Sequence, residues 1–181
     1  MKFKAPAFLM ALALVAPLAL AAKADSPALP AAVTADQVTT SKLVYGLLSD
    51  SRYAYRPRAL DEATSKDVFK RYLETLDGGK QYFTQADVAR FAPFQAGIAN
   101  AIRGGELEPA FEVFAVYKQR VGERVGYARK LLKQEPDFTT DERFEYDRKD
   151  VPWAASNAEL DELWRKSVKN DWLRLKLAGK K

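Results

Sequence analysis

Neither cysteine nor histidine occurs anywhere in this chain of 181 residues. Without cysteine there are no disulfide bonds, so the packing of apolar side chains has to stabilise the fold. Without histidine there is no Ser-His-Asp triad, no imidazole general base and no histidine ligand for a metal. These two absences exclude many of the common catalytic and metal-binding sites.

The motifs of several large enzyme classes are also missing. The sequence contains no Gly-x-Ser-x-Gly, no phosphate-binding P-loop and no Gly-x-Gly-x-x-Gly. A serine and a lysine can act together as nucleophile and base without histidine, and Ser41-Lys42 and Ser65-Lys66 are adjacent pairs. Neighbours on a helix point about 100° apart, so neither pair forms a dyad, and Ser65 is interpreted as a solvated helix position. We predict no catalytic residue and no cofactor.

Residues 141–150 are rich in acids, whose carboxylate oxygens are ligands that divalent cations use. The acids are Asp141, Glu142, Glu145, Asp147 and Asp150. Arg143, Arg148 and Lys149 are interleaved with them and neutralise most of their charge, and no EF-hand spacing is found. The segment is therefore predicted to be a charge-balanced surface loop without a metal site.

The first residues have the organisation of an export signal. Lys2 and Lys4 precede an apolar stretch from Ala5 to Ala22. The alternative is a membrane anchor, but the stretch is shorter than the roughly 20 residues that span a bilayer, and Pro17 interrupts it. We therefore expect an exported, periplasmic protein.

Small residues mark where such a signal is removed. Ala22-Lys23-Ala24 is the preferred cleavage site, and Ala19-Leu20-Ala21 is a second candidate. Residues 1–24 are thus the predicted signal peptide, and residues 25–33 (DSPALPAAV) are predicted to be a flexible leader. Removal of the signal would leave 26 basic and 24 acidic residues, a net charge of +2 instead of +5.

The linker from Arg52 to Arg58 alternates aromatic and basic residues. Proteins use this composition to stack nucleic-acid bases and to hold phosphates. The alternative is that Tyr53 and Tyr55 pack on helices while the arginines stay in solvent. We favour the alternative because the mature charge is small and the chain carries an export signal, and we predict no nucleic-acid partner.

Apolar residues recur at three- and four-residue spacing through most of residues 34–181, and no run of alternating β-branched residues is found. We predict one all-α domain of about six helices. They are a helix opened by Thr34 and broken at Ser49-Asp50-Ser51, one from about Leu60 to Leu76, a short one capped by Thr84, one from Pro93 to Gly104-Gly105, the longest from Pro109 to Lys133, and one opened by Ser156.

Three local patterns mark helix ends. Thr34 with Gln37, and Ser156 with Glu159, have the spacing of a capping box. Gly78-Gly79 is expected to end the second helix in the left-handed conformation that glycine tolerates. Residues 137–155 are less regular and are left open between a turn of helix and a short extended piece.

Two blocks resemble a known family. Leu60 to Phe91 reads LDEATSKDVFKRYLETLDGGKQYFTQADVARF, with Phe-x-x-Tyr-Leu, a second Leu-Asp, and Tyr-Phe before an Asp and a final Phe. Phe138 to Lys180 contains FEYDRKDVPW and AELDELWRKSVKNDWLRLKLAGK. With the long helix between them, the blocks resemble the N-terminal domain of periplasmic tail-specific, or carboxy-terminal processing, serine peptidases over nearly all of residues 34–181.

The resemblance implies a module of a larger enzyme that cleaves proteins with apolar C-terminal tails, using a Ser–Lys dyad and a PDZ module. This chain ends at Lys181, where the family continues into those parts, so none of their residues can be placed here. We expect a non-catalytic module that scaffolds the PDZ and peptidase parts in cis or in trans, with a periplasmic adaptor as a further candidate partner. The alternative is a freestanding periplasmic peptide-binding or adaptor protein.

Large side chains in the two blocks are expected to anchor the core or a domain interface, each stabilising by about 1.5–3 kcal/mol when buried. Trp153, Trp164 and Trp172 are the candidate interface anchors. Three tryptophans in a small helical domain suggest a partly exposed aromatic patch where the peptidase part docks. Complete burial of all three would argue against that hypothesis. The other expected anchors are Phe69, Tyr72, Leu73, Tyr82 and Phe83.

Overall fold

A computed structural model describes residues 32–179 of the chain. The predicted signal peptide, residues 1–24, lies outside the described residues, and so does most of the predicted leader, residues 25–33. Within the described part the prediction of an all-α fold is confirmed, since one domain of six α-helices contains no β-strand. None of these helices combines the length and the apolar character that crossing a bilayer would require.

The helices lie close to the predicted positions. In chain order they are α1 (Ala35–Ser49), α2 (Glu62–Asp77), α3 (Gln85–Phe91), a 3₁₀ turn (Ala92–Phe94), α4 (Ile98–Gly104), α5 (Glu108–Leu131) and α6 (Asn157–Leu177). The helix predicted to run continuously from Pro93 is wrong. Proline has no N–H for a helical bond, and the N–H groups of Gln95 and Gly97 bond to carbonyls three residues back, so the α-helix begins only at Ile98.

The two predicted capping boxes differ in the structure. Thr34 forms the complete box, since its hydroxyl accepts from the Gln37 N–H at 3.3 Å and its own N–H donates to the Gln37 side chain at 2.9 Å. Ser156 caps α6 through the Glu159 N–H, but the Glu159 carboxylate accepts from the N–H of Ala155 instead of that of Ser156. The predicted cap by Ser156 is therefore confirmed. The predicted return bond from the Ser156 N–H to the Glu159 carboxylate is wrong, because the N–H of Ala155 makes that bond.

The end of α2 also differs from the prediction. Gly78 keeps a right-handed conformation with φ −61°, and the left-handed residue is Lys80, with φ 52°. A Cβ at Gly78 would lie 2.8 Å from the carbonyl oxygen of Glu74, so glycine is needed there for close approach. The chain reverses two residues later, where the Lys80 N–H bonds to the carbonyl of Asp77.

The core lies between α2, the turn after it, and α3 to α5. Its ring pair is Phe83 and Phe91, which pack edge to face with centroids 5.4 Å apart. The expected anchor Tyr72 is half-buried and donates its hydroxyl to the carbonyl of Ala110 at 2.8 Å. The buried residues of the core cluster are Phe69, Leu73, Phe83, Phe91, Ile98 and Val113.

Ser65 is buried, with 1% of its surface exposed, so its interpretation as a solvated position is wrong. Its hydroxyl donates to the carbonyl of Asp61 and accepts from the N–H of Ala99 in α4. The small side chain lets α2 and α4 approach, and its polar atom is satisfied by backbone. The neighbouring Lys66 instead pairs with Glu62 at 2.8 Å.

Helix α1 rests on α4, where the Ser41 hydroxyl donates to the carbonyl of Ile102 at 2.6 Å. None of its residues is buried. In the linker that follows, Tyr53 and Tyr55 are exposed, so the expectation that they pack on helices is wrong. Each ring instead stacks near an arginine beside it in sequence, since Arg52 and Arg56 lie 5.5 and 6.0 Å from the respective ring centroids.

The contact between α1 and α4 depends on Gly105, which has φ 78°. A Cβ at this position would lie 2.6 Å from Cγ1 of Val38 in α1. We expect Gly105→Ala to lower the free energy of unfolding by at least about 1–2 kcal/mol, the cost of the left-handed conformation alone. Gly122→Ala in α5 is the control, because nothing lies within 4 Å of its added Cβ, and it should stabilise by up to about 1 kcal/mol. Equal urea unfolding curves for the two variants would contradict this view.

Candidate interface site

The carboxylate of Asp77 organises the turn that follows α2. It is 2% exposed, and Oδ1 accepts from the Gln81 N–H at 2.6 Å. Oδ2 accepts from the N–H groups of Tyr82 and Phe83 at 3.2 and 2.9 Å, and from Trp153 Nε1 at 3.1 Å. Four donors thus satisfy one buried charge, and one of them comes from the distant segment 137–155.

A cation lies over the indole ring that binds this carboxylate. Lys80 is buried, and its Nζ is 3.9 Å from the centre of the Trp153 ring. The C-terminus of a helix carries partial negative charge, so the carboxylate of Asp77 is unfavourable there unless donors or cations compensate it. The N–H donors do so directly, and Lys80 adds a cation–π contact that holds the indole in place.

The second tryptophan enters the same turn from α6. Trp164 Nε1 donates to the carbonyl of Gln81 at 2.8 Å, and its ring lies 5.8 Å from that of Tyr82. Tyr82 packs in turn edge to face on Tyr117 of α5 at 5.5 Å. The turn is therefore clamped between α5 and α6.

The segment 137–155 includes the short extended piece that was one of its two expected forms. Thr84 and Ala154 form an isolated parallel bridge, in which the N–H of Gln85 donates to the carbonyl of Ala154 at 2.9 Å. The Gln85 side chain also donates to the carbonyl of Trp153 at 2.9 Å. These bonds hold the segment against the start of α3.

Trp172 lies apart from the other two tryptophans. It is half-buried near the end of α6 and lines an apolar groove of about 830 Å³ with Leu132, Val168 and Leu175. We call this the Trp172 groove. Its rim is charged, and Lys176 bridges to Glu135 at 2.5 Å. An apolar floor with a polar rim is the anatomy of protein interfaces.

The structure thus distributes the three candidate anchors over two places. Trp153 and Trp164 bind the turn after α2 with their indole N–H groups, whereas Trp172 lies two turns beyond Trp164 on α6. All three are half-buried. Their role as interface anchors stays a prediction. Trp172 borders the open apolar groove, whereas Trp153 lines a smaller and more polar cavity of about 450 Å³.

Ion pairs that no sequence pattern indicated join α3 to α5 and α5 to α6 around the turn. Arg120 of α5 bonds to the buried Asp87 of α3 at 2.8 and 3.0 Å, and Arg124 of α5 pairs with Asp161 of α6. Burial opposes ionisation of Asp87, but the hydrogen bonds from Arg120 and Thr84 outweigh it and hold the pKa of Asp87 below its usual value. The pairs join residues more than 30 positions apart, so no spacing pattern could show them.

Glu142 is neutralised from α6. Its carboxylate accepts from Arg165 and from Lys169, the latter at 2.6 Å. The hydrogen bonds of Arg165 and then Lys169 lower the pKa of Glu142 from 4.5 to about 2. The predicted neutralisation by a basic residue of the same segment is confirmed for Asp147, whose carboxylate is 3.8 Å from Lys149. It is wrong for Glu142, whose basic partners lie on α6. Within residues 32–179, no three acids gather as they would around a cation.

Asp77→Asn tests the hydrogen bonds that the Asp77 carboxylate accepts. Asparagine keeps one acceptor oxygen, but its NH₂ would face N–H donors, so at least one buried donor loses its partner. We expect the free energy of unfolding to fall by about 1–3 kcal/mol. Asp67→Asn, at an exposed site on α2, is the control and should stay within about 0.5 kcal/mol of the parent. Urea unfolding followed by circular dichroism gives both values, and matching losses would contradict the account.

Glu142→Gln tests the link between segment 137–155 and α6 through its pH dependence. The pKa of Glu142 is lowered on folding, so its ionised form stabilises the fold fully above pH 4.5, and this contribution is lost as the pH falls toward 2. The urea midpoint of Glu142→Gln should therefore lie below that of the parent at pH 7 and approach it in acid. Glu145→Gln, at an exposed position, should show little difference at either pH. If the urea midpoint of Glu142→Gln lies below that of the parent by the same amount at every pH, the ion pairs of Glu142 with α6 would be contradicted.

The chain is similar to the tail-specific protease of Haemophilus influenzae, with 31% identity over 160 residues that cover 88% of this chain and 23% of the relative. It therefore spans less than a quarter of the length of that curated relative. Residues 47–181, which include α2 to α6, match the family described as the tail specific protease N-terminal domain. This chain belongs to the family of tail-specific protease N-terminal domains.

Proposed function

We propose that this chain is the non-catalytic N-terminal module of a periplasmic, serine-type tail-specific protease, and that it holds the PDZ and peptidase parts in position. The chain matches less than a quarter of its relative, so most of such a protein consists of other parts. In this proposal residues 1–24 are removed on export, and substrates with apolar C-termini are bound and cut by those other parts. The Trp172 groove is the observation that carries the proposal.

The Trp172 groove has the properties of a docking site for the rest of the protease. Leu132 and Leu175 are more than half exposed at its edges, and Trp172 lies between them half-buried. Tryptophan in a partly desolvated pocket is a frequent energetic centre of interfaces. The apolar floor would take an apolar side chain from the PDZ or peptidase part, and Asp171, Glu135 and Lys176 would form the polar rim.

The serines of the Ser41-Lys42 and Ser65-Lys66 pairs are engaged in packing. The Ser41 hydroxyl donates to the carbonyl of Ile102 in α4 at 2.6 Å and joins α1 to that helix. The Ser65 hydroxyl donates to the carbonyl of Asp61 at 2.9 Å and accepts from the N–H of Ala99 at 3.3 Å, which joins α2 to α4. Lys66 is paired with Glu62. These contacts support a structural role for both serines and fit a module without hydrolysis of its own.

The proposal is tested by producing this chain and the PDZ–peptidase part of the same organism's tail-specific protease separately and measuring their association. Trp172→Ser should weaken binding by about 30-fold or more, the effect of losing an interface hot spot. Leu177→Ser is the control, because this residue is 80% exposed and does not line the groove. Equal affinities for both variants would reject the groove as the docking site.

Two further outcomes concern the function itself. Serine-dependent cleavage of an apolar-tailed peptide by this chain alone would overturn the non-catalytic assignment. Absence of PDZ and Ser–Lys peptidase segments from the encoding genome would favour the alternative, a freestanding periplasmic binding or adaptor protein.

A further inference from the structure

The C-terminal half of α1 presents an apolar stripe that its own domain does not cover. Leu43, Val44, Leu47 and Leu48 recur at positions i, i+1, i+4 and i+5, and all four are exposed, Leu43 to 62%. The contact of α1 with α4 uses other residues, among them Ser41. Stripes of this kind are normally buried against a second surface.

The linker after α1 folds back beside this stripe. The N–H groups of Tyr53 and Ala54 both bond to the carbonyl of Asp50, which closes a turn, and the N–H of Arg58 bonds to the carbonyl of Leu48 at 3.1 Å. Tyr55, at the tip between them, is 96% exposed. Two exposed tyrosines and several arginines are thus placed at the C-terminal end of the leucine stripe.

The charge of this region is positive. Residues 35–60 contain four basic side chains and two acidic ones, a net charge of +2, which equals that expected for the whole mature chain. Arg52 is held by Asp50 at 2.6 Å, whereas Arg56 and Arg58 are exposed. The two residues that follow this range, Asp61 and Glu62, are acidic as well, and they belong to the start of α2, where Asp61 caps the helix and Glu62 pairs with Lys66 at 2.8 Å. The four bases are Lys42, Arg52, Arg56 and Arg58, and the two acids are Asp36 and Asp50.

We propose that this region binds the surface of an anionic phospholipid bilayer. We call it the α1 surface, and it consists of Leu43, Val44, Leu47, Leu48, Tyr53, Tyr55, Arg56 and Arg58. The aliphatic side chains enter the boundary between headgroups and acyl chains, the tyrosines lie at headgroup level, and the arginines contact lipid phosphates. The proposal goes beyond the scaffold function, which uses the Trp172 groove.

The shape of the α1 surface favours a bilayer over a protein partner. The Trp172 groove is concave and accepts an inserted side chain, whereas the aliphatic side chains of α1 project outward from a helix. A projecting ridge needs a complementary cavity on a protein partner but none in a fluid bilayer. The alternation of tyrosine with arginine beside the ridge matches the layers of a membrane interface.

The absence of cysteine allows a position-specific test on the full chain. Leu47→Cys and, as the matched control at another exposed leucine, Leu177→Cys each carry one environment-sensitive nitrobenzoxadiazole label. With phosphatidylglycerol vesicles we expect a blue shift of the label at residue 47 and none at residue 177. Phosphatidylcholine vesicles should give a much smaller shift, and added salt should reduce the shift seen with phosphatidylglycerol.

Charge variants measure the electrostatic contribution to the binding of phosphatidylglycerol vesicles. Arg56→Gln together with Arg58→Gln should weaken the partition coefficient, read from the label at residue 47, by about 30-fold. The matched control, Arg129→Gln with Lys133→Gln, removes two exposed charges near the end of α5 and should leave it within about threefold. Equal losses in the two double variants would overturn the assignment to the α1 surface.

The remaining outcomes are also decisive. Residues 1–31 are identical in all variants, so vesicle binding through them alone would leave the label at residue 47 unshifted and contradict the proposal. A dimer without vesicles that Leu43→Ser dissociates would assign the stripe to a second copy of the chain. A label that responds to single-stranded DNA but not to phosphatidylglycerol would assign the arginines to nucleic acid.

Discussion

A single buried carboxylate holds together parts of this domain that lie far apart in sequence. Asp77 ends α2, fixes the N–H groups of the next turn, and binds the indole of Trp153, which lies 76 residues further along the chain. Phe83, whose N–H bonds to this carboxylate, is fully buried in the aromatic core. The position of the core ring and that of the returning segment therefore depend on the same charge.

The two candidate surfaces are carried by different helices. Helix α1 and the linker after it carry the α1 surface, and α6 with the end of α5 carries the Trp172 groove. Ion pairs between α3, α5 and α6 hold the part that bears the Trp172 groove, whereas α1 is joined to α4 through a serine hydroxyl and a close approach at Gly105. A rigid frame suits a module proposed to orient other domains, because docking energy is then not spent on ordering it. The α1 surface lies on the side of α1 that this contact with α4 leaves exposed.

The helices could be predicted because their information is local. Thr34 and Ser156 cap helices through N–H groups three residues away, and periodicity located α5 to within two residues at each end. Asp77 was missed because its partners follow no helical period, although an acid at a helix C-terminus was an available signal. The prediction that Ser65 is solvated is wrong because the sequence around a small polar residue does not show whether a second helix packs against it. The pattern of α1 likewise showed an apolar stripe but not whether the domain covers it.

Asp77 and Trp153 act as one unit, and a double-mutant cycle measures the coupling between them. Trp153→Phe removes the Nε1–H and keeps an aromatic ring, and it is combined with Asp77→Asn. We expect a coupling free energy of at least about 1 kcal/mol in urea unfolding. Effects of the two substitutions that add within about 0.3–0.5 kcal/mol would contradict it.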